Sequence, residues 1–145
     1  MKNIRKYLCV ILAASMLLGL AGCTRDDGSN TSGGGSGNGS TSSSKAAKEN
    51  ILVEIFQSNY EGAIIDRIQQ SYSDQTDAII INPGAYAYYS YAIHDALISV
   101  PTPKVEVHIA DITHRAEEWR RHSITAAACN KFIKGRGLDG YTDAI

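Results

Sequence analysis

A chain of 145 residues has room for one ordinary domain, and 43% hydrophobic with 20% charged residues is the balance of a globular fold rather than of a disordered or fibrous one. A formal net charge of −1 argues against nucleic acid as a partner. Three cysteines, Cys9, Cys23 and Cys129, give neither a disulfide framework nor a metal quartet.

Lys2, Arg5 and Lys6 come first, followed by an apolar run from Tyr7 to Leu20 and then Leu20-Ala21-Gly22-Cys23. Basic, then apolar, then small residues is the order of a secretory signal, and the run is short for a stable membrane span. An uncleaved membrane helix is the rival reading. The Leu-Ala-Gly-Cys ending resembles the bacterial lipobox. That implies cleavage before Cys23, a diacylglycerol on its thiol, and an exported lipoprotein held at a membrane surface on the periplasmic or cell-surface side. Residues 1–22 are therefore expected to be a signal peptide. Their removal takes three of the 14 basic residues and none of the 15 acidic ones, and it takes Cys9 as well. Cys129 is left as a packed core thiol.

Residues 23–44, ending in "TSGGGSGNGSTSSS", hold no apolar side chain able to join a core once Cys23 is lipidated, so a disordered Ser/Gly tether is expected. Roughly twenty such residues reach on the order of 25 Å.

Residues 45–145 alternate strand and helix signals. "ILVEIFQ" (51–57) is a β-branched run, and "EGAIIDRIQQSY" after it sets Ile64, Ile65 and Ile68 on one helical stripe. "DAIIIN" (77–82) and "KVEVHI" (104–109) are further strands, with an apolar-striped helical segment from Tyr89 to Ser99 between them. "CNKFIKG" is a weaker strand before a closing helix at 139–145. Ile- and Val-rich strands with helices between them point to a parallel α/β sheet. Ligands of such sheets sit beyond the carboxyl ends of the strands. Gln57, Ser58 and Asn59 follow the first of these strands, Asn82, Pro83 and Gly84 the second, and His108 ends the third with Asp111, Arg115 and Arg120 beyond it. Amides, an imidazole and guanidiniums on one rim suit a small anionic, polyhydroxy ligand.

Six blocks in order, "FQSNYEG", "INPGAY", "YAIHDAL", "VEVHI", "EEWRRHS" and "GLDGY", resemble the type II 3-dehydroquinate dehydratase family over essentially all of 51–145. The resemblance implies a flavodoxin-like parallel sheet of order 2-1-3-4-5, assembly into trimers and dodecamers, and conversion of 3-dehydroquinate to 3-dehydroshikimate plus water. No metal or cofactor is implied, and the setting is the shikimate route to aromatic amino acids or quinate breakdown. In that chemistry a tyrosinate takes a proton beside the ketone, an asparagine stabilises the enolate side, and a histidine protonates the departing hydroxyl. Carried over, Asn82 matches the asparagine and His108 the acid, with Glu106 behind it. Asp95 matches a substrate contact, Arg120 the closing arginine, and Ile109 and Ala110 the backbone donors to a carboxylate; Tyr88, standing where the family has a substrate-binding histidine, is a further candidate contact. The bland alternatives are a turn-shaping Asn82, solvated Asp95 and Glu106, and a surface Arg120.

The departures are as informative. The family's first strand, its lid, and the tyrosine and arginine they carry have no counterpart where they should stand, so a vacancy is expected at the centre of the sheet, to be closed up or filled by another chain. Ala87 and Tyr88 replace Thr-His, and His94 replaces an arginine. Arg115 and Arg120 are five apart, which would not place them on one helix face in the usual way. Tyr88 is a candidate substitute base, with His94 and Arg115 the nearest expected cations. Impaired catalysis, a catalytically inactive lipid-tethered binder of a small acid, and a fusion or truncation product all stay open.

Overall fold

The computed structural model describes residues 6–13 and 50–145. Among them are five strands, β1 Lys6–Ala13, β2 Ile51–Ser58, β3 Ala78–Asn82, β4 Lys104–His108 and β5 Lys131–Lys134, and three α-helices, α1 Glu61–Gln70, α2 Tyr91–Ser99 and α3 Asp139–Ala144. All strand pairs are parallel, in the order β2-β1-β3-β4-β5. This is the flavodoxin-like α/β architecture expected from the sequence, and each element expected within 51–145 is present to within two residues. The expected tether, and with it Cys23, lies outside the described residues.

The expected vacancy does not occur. Lys6–Ala13 occupies the centre of the sheet, registered with β2 from Lys6↔Ile51 to Ala13↔Ser58 and with β3 from Leu8↔Ala78 to Leu12↔Asn82. The physical reason is the composition of the segment. A parallel strand with neighbours on both sides is covered on both faces and needs a continuous apolar run, which "KYLCVILA" supplies. Leu8 is buried on one face, and Cys9, Ile11 and Ala13 on the other. Cys9, expected to depart with a signal, is therefore a core thiol.

Two apolar layers flank the sheet. Cys9, Ile11, Ile79 and Ile81 meet Ile64 and Ile68 of α1 and Ile93 and Leu97 of α2. On the other face, Leu8, Ile80, Val107 and Ile133 meet Tyr141 and Ala144 of α3. Alternation along each strand assigns the faces, so Ile80 opposes its neighbours Ile79 and Ile81. Of the α1 stripe, Ile64 and Ile68 are fully buried and Ile65 partly so.

β2 is an edge strand and exposes Leu52 and Ile55. It is clamped to α1 by Arg67, which is only 5% exposed and donates from Nε and Nη2 to both carboxylate oxygens of Glu54 at 3.1 Å. Nη1 lies 3.0 Å from Asp74 Oδ2 but off the axis of a hydrogen bond, so that contact is a charge pairing.

Candidate functional site

The chemistry-bearing residues lie where β3 and β4 run out. After β3 the chain turns through Asn82-Pro83-Gly84: Asn82 Oδ1 accepts the Gly84 N–H at 3.2 Å, and Gly84 takes a φ of 58°, the left-handed region that glycine enters without steric cost. A 3₁₀ turn over Gly84–Tyr88 comes next. Ser90 then caps α2 by accepting the Ile93 N–H at 2.9 Å, which is why the helix begins at Tyr91 and not at Tyr89. The Ser90 hydroxyl also donates to Glu61 Oε1 on α1, tying the Tyr86–Tyr89 loop to the body of the fold.

Glu106 and His108 sit two apart on β4 and so share a face of the sheet. His108 Nε2 lies 2.7 Å from Glu106 Oε1. Glu106 is fully buried and accepts further from Ser123 Oγ on Oε1 and from Thr125 Oγ1 on Oε2. A carboxylate is acceptor-only, so these three groups all donate to it, which makes Nε2 the donating nitrogen of the ring. Nδ1 is then left as the ring nitrogen that can exchange a proton with a ligand. Phe132 of β5 packs edge-on against the ring, with centroids 5.6 Å apart. The solvated reading of Glu106 is thereby excluded.

His108 opens onto a cavity of about 170 Å³ lined by Gly84, Ala85, Tyr88, Ala110, Ile112, Arg115 and Arg120. That is small beside the roughly 300–1,000 Å³ of drug-sized sites and fits a compact ligand. Arg120 stacks its guanidinium 5.8 Å from the ring centres of both Tyr88 and Trp119, and its nearest carboxylate, Glu117, is 3.5 Å away. Arg115 Nε is shut off from solvent without an acceptor among the described residues. Two guanidiniums with so little local neutralisation make the cavity a site for an anion. Their five-residue separation does not keep them apart, because residues 112–120 form two single 3₁₀ turns rather than one helix, and both side chains reach the cavity. The cation over Tyr88 is Arg120, where His94 and Arg115 were expected. His94 instead pairs with Asp95, with Nδ1 3.0 Å from Oδ1.

Asn82 stands on the same rim but is turned away from this cavity. It belongs to the face of Ile80, not of Ile81, and its Nδ2 donates to the Tyr141 hydroxyl of α3 at 2.7 Å. Ile81 is registered with Glu106, so the amide and the imidazole leave the sheet on opposite sides. Asp95 projects into solvent from α2 and does not line the cavity. Ala110 lines it, while Ile109 is partly buried and its carbonyl accepts the Gly137 N–H at 3.0 Å.

Ser123, Thr125 and Tyr141 escape sequence reasoning as site residues. They reach Glu106 and Asn82 from 17, 19 and 59 positions away, and no periodicity connects them. Burial pushes the Tyr141 phenol up from its ordinary value, with the Asn82 hydrogen bond opposing, so it is a neutral hydroxyl at physiological pH. Burial and the nearby Glu106 carboxylate raise the Cys129 thiol to about 12, in keeping with its reading as a packed, unreactive group.

A family model described as Dehydroquinase class II matches residues 37–145. The 3-dehydroquinate dehydratase of Lachnoclostridium phytofermentans is 62% identical over 101 residues, which is 70% of this chain and 69% of that protein. The 3-dehydroquinate dehydratase of Caldicellulosiruptor bescii is 52% identical over 103 residues, 71% of this chain and 70% of that one. The crystal structure of the type II dehydroquinase from Butyrivibrio crossotus superposes with a TM-score of 0.79 at 42% identity, covering 97% of this chain and 94% of that one. That from Propionibacterium acnes gives 0.77 at 32% identity, covering 96% and 94%.

Proposed function

The chain belongs to the class II dehydroquinase family, and from that premise we propose that its rim cavity binds 3-dehydroquinate, with His108 as the acid that protonates the departing hydroxyl as 3-dehydroshikimate and water form. The observation that carries this is the buried Glu106–His108 pair opening onto a cavity walled by Arg115 and Arg120. In the elimination one proton leaves the carbon beside the ketone and one arrives on the hydroxyl at the other end. Glu106, locked by Ser123 and Thr125, holds the imidazole so that Nδ1 faces that hydroxyl. The guanidiniums of Arg115 and Arg120 receive the carboxylate side of the ligand, with the Ala110 backbone beside them and Tyr88 as a wall. Asn82 and Ile109 shape the rim from the far side of the sheet, and Asp95, exposed on α2, lies outside the cavity.

Proton removal is the weak step. No tyrosine occurs between Leu8 and Asn59, the stretch that carries the base in the family. Among the described residues, Tyr88 is the one phenol lining the cavity. Turnover is therefore impaired, and the same observation favours a second reading in which the protein binds a quinate-like acid without converting it. A near-ultraviolet assay of the full chain for dehydroshikimate separates the two, with calorimetry against quinate alongside. Slow turnover abolished in His108→Asn supports the enzyme; binding without turnover supports the binder; neither would sink both.

The basic-apolar-small order of residues 1–23 supports a further reading of the same chain as an exported lipoprotein anchored through Cys23, with residues 23–44 as the tether. Incorporation of labelled palmitate that is lost in Cys23→Ser is the expected result.

A further inference from the structure

We infer that the slot between β2 and β3 is a strand-binding site whose occupant is Lys6–Ala13 of the same chain, and that filling it withdraws this segment from use as a targeting signal; the inference rests on the export reading above. β1 is registered with β2 along its whole length and with β3 from Leu8 to Leu12, so its backbone is paired on both sides. Leu8, Cys9, Ile11 and Ala13 are all buried, on both faces of the sheet. The chain between β1 and β2, residues 14–50, is long and rich in serine and glycine. Short-loop geometry therefore does not force the pairing. Burial and the two ladders must offset the closure of a long loop, which makes docking reversible in principle.

The same residues form the front half of the apolar run from Tyr7 to Leu20. Recognition of a targeting signal needs that run unpaired and accessible, and a central strand offers neither its backbone nor its side chains. The two uses exclude each other in any one molecule. A chain that folds first keeps its sheet and its unmodified Cys23; a chain that is captured first and cut before Cys23 loses the occupant of the slot. The ligand class of the slot is an extended apolar strand of about eight residues, parallel to both neighbours.

The full chain, expressed in a bacterial host with labelled palmitate, tests this through three readouts: the share of chains carrying lipid, the melting temperature of the soluble unprocessed chain, and hydrogen exchange at Val10 and Ile11. Ala13→Leu keeps the run apolar and Cys23 intact but overfills a buried position, so the lipidated share should rise several-fold. Ile11→Val, which removes one methylene and leaves the fold intact, should lower the melting temperature and raise that share by less. Cys23→Ser should abolish the label and leave the melting temperature of the soluble chain unchanged. An unchanged lipidated share in both apolar variants, while Ile11→Val melts lower, overturns the competition. Exchange at Val10 and Ile11 as fast as in a free peptide overturns the docking itself. Slow exchange with no label on any chain overturns the inference through its export premise alone, leaving the strand in place.

Discussion

β1 and β3 lie side by side in the middle of the sheet, and they differ in the residues at their carboxyl ends. Ile11 and Ile81 are register partners, both buried in the layer under α1 and α2. β3 ends in Asn82-Pro83-Gly84, where an amide, a left-handed glycine and the Tyr88 loop begin the site. β1 ends in Ala13 and is succeeded by "ASMLLGLAGC", a stretch without a carboxylate, amide, imidazole or guanidinium. Any strand apolar on both faces can complete the centre of a parallel sheet, because burial is non-directional. Only particular polar groups at the strand end can do the chemistry. Structure and sequence comparisons divide along the same line: the likeness to solved dehydroquinases covers nearly the whole chain, whereas the family model begins at residue 37.

If the two strands are equal members of the core, Ile11→Asp and Ile81→Asp should be equally ruinous. Each places a carboxylate in an apolar layer at a cost of several kcal/mol, against a total stability of about 5–15. Both should abolish cooperative thermal unfolding. Ile81→Asp unfolding the protein while Ile11→Asp melts like the parent would show that β1 is an ornament. The chemistry should fall on the other side of the comparison. His108→Asn is expected to lower any measured turnover by about 10²–10⁴ per folded molecule and to lower the melting temperature as Glu106 loses the ring donor, whereas Ile11→Val should shift stability by about 1 kcal/mol and leave turnover per folded molecule alone.

Alkaline pH sharpens the contrast, because β1 carries a buried thiol and β3 has no titratable side chain. Burial raises Cys9 from its ordinary value near 9 to about 11. The folded chain therefore holds this proton more tightly than the unfolded one. Its contribution is fully present below about pH 9 and is lost as pH rises through about 11. Melting temperatures measured from pH 8 to 11 should decline less steeply in Cys9→Ala than in the parent. The smallest effect is expected at the end of β3. Asn82→Ala leaves the Gly84 N–H and the Tyr141 hydroxyl without that amide, costing about 1 kcal/mol in stability. Ligand affinity should fall less than in Arg120→Ala, since Arg120 lines the cavity and Asn82 does not.

Within residues 51–145 the order of strands and helices was legible in the sequence, because each element is short, keeps one period and ends at turn residues. The Glu106–His108 pair was legible through the resemblance of the "VEVHI" block, and its geometry follows because two positions along a strand share a face. β1 was not, because an apolar run of this length satisfies the pattern of a targeting signal and that of a buried strand alike. Local pattern could not say where Asn82 points: alternation from Ile80 turns it toward α3, and Tyr141 holds it there. Nor could pattern bring Ser123 and Thr125 to Glu106, or Arg115 and Arg120 to one cavity across two separate turns.

The sequence by itself determined the parallel α/β class, the rim on which chemistry gathers and the family, since these rest on periodicity and on ordered local blocks. Tertiary structure alone decided which segment fills the middle of the sheet, which polar groups donate to Glu106 and which face the amide takes. Those outcomes depend on contacts between residues far apart in the chain, whose free energy exists only once the layers have closed.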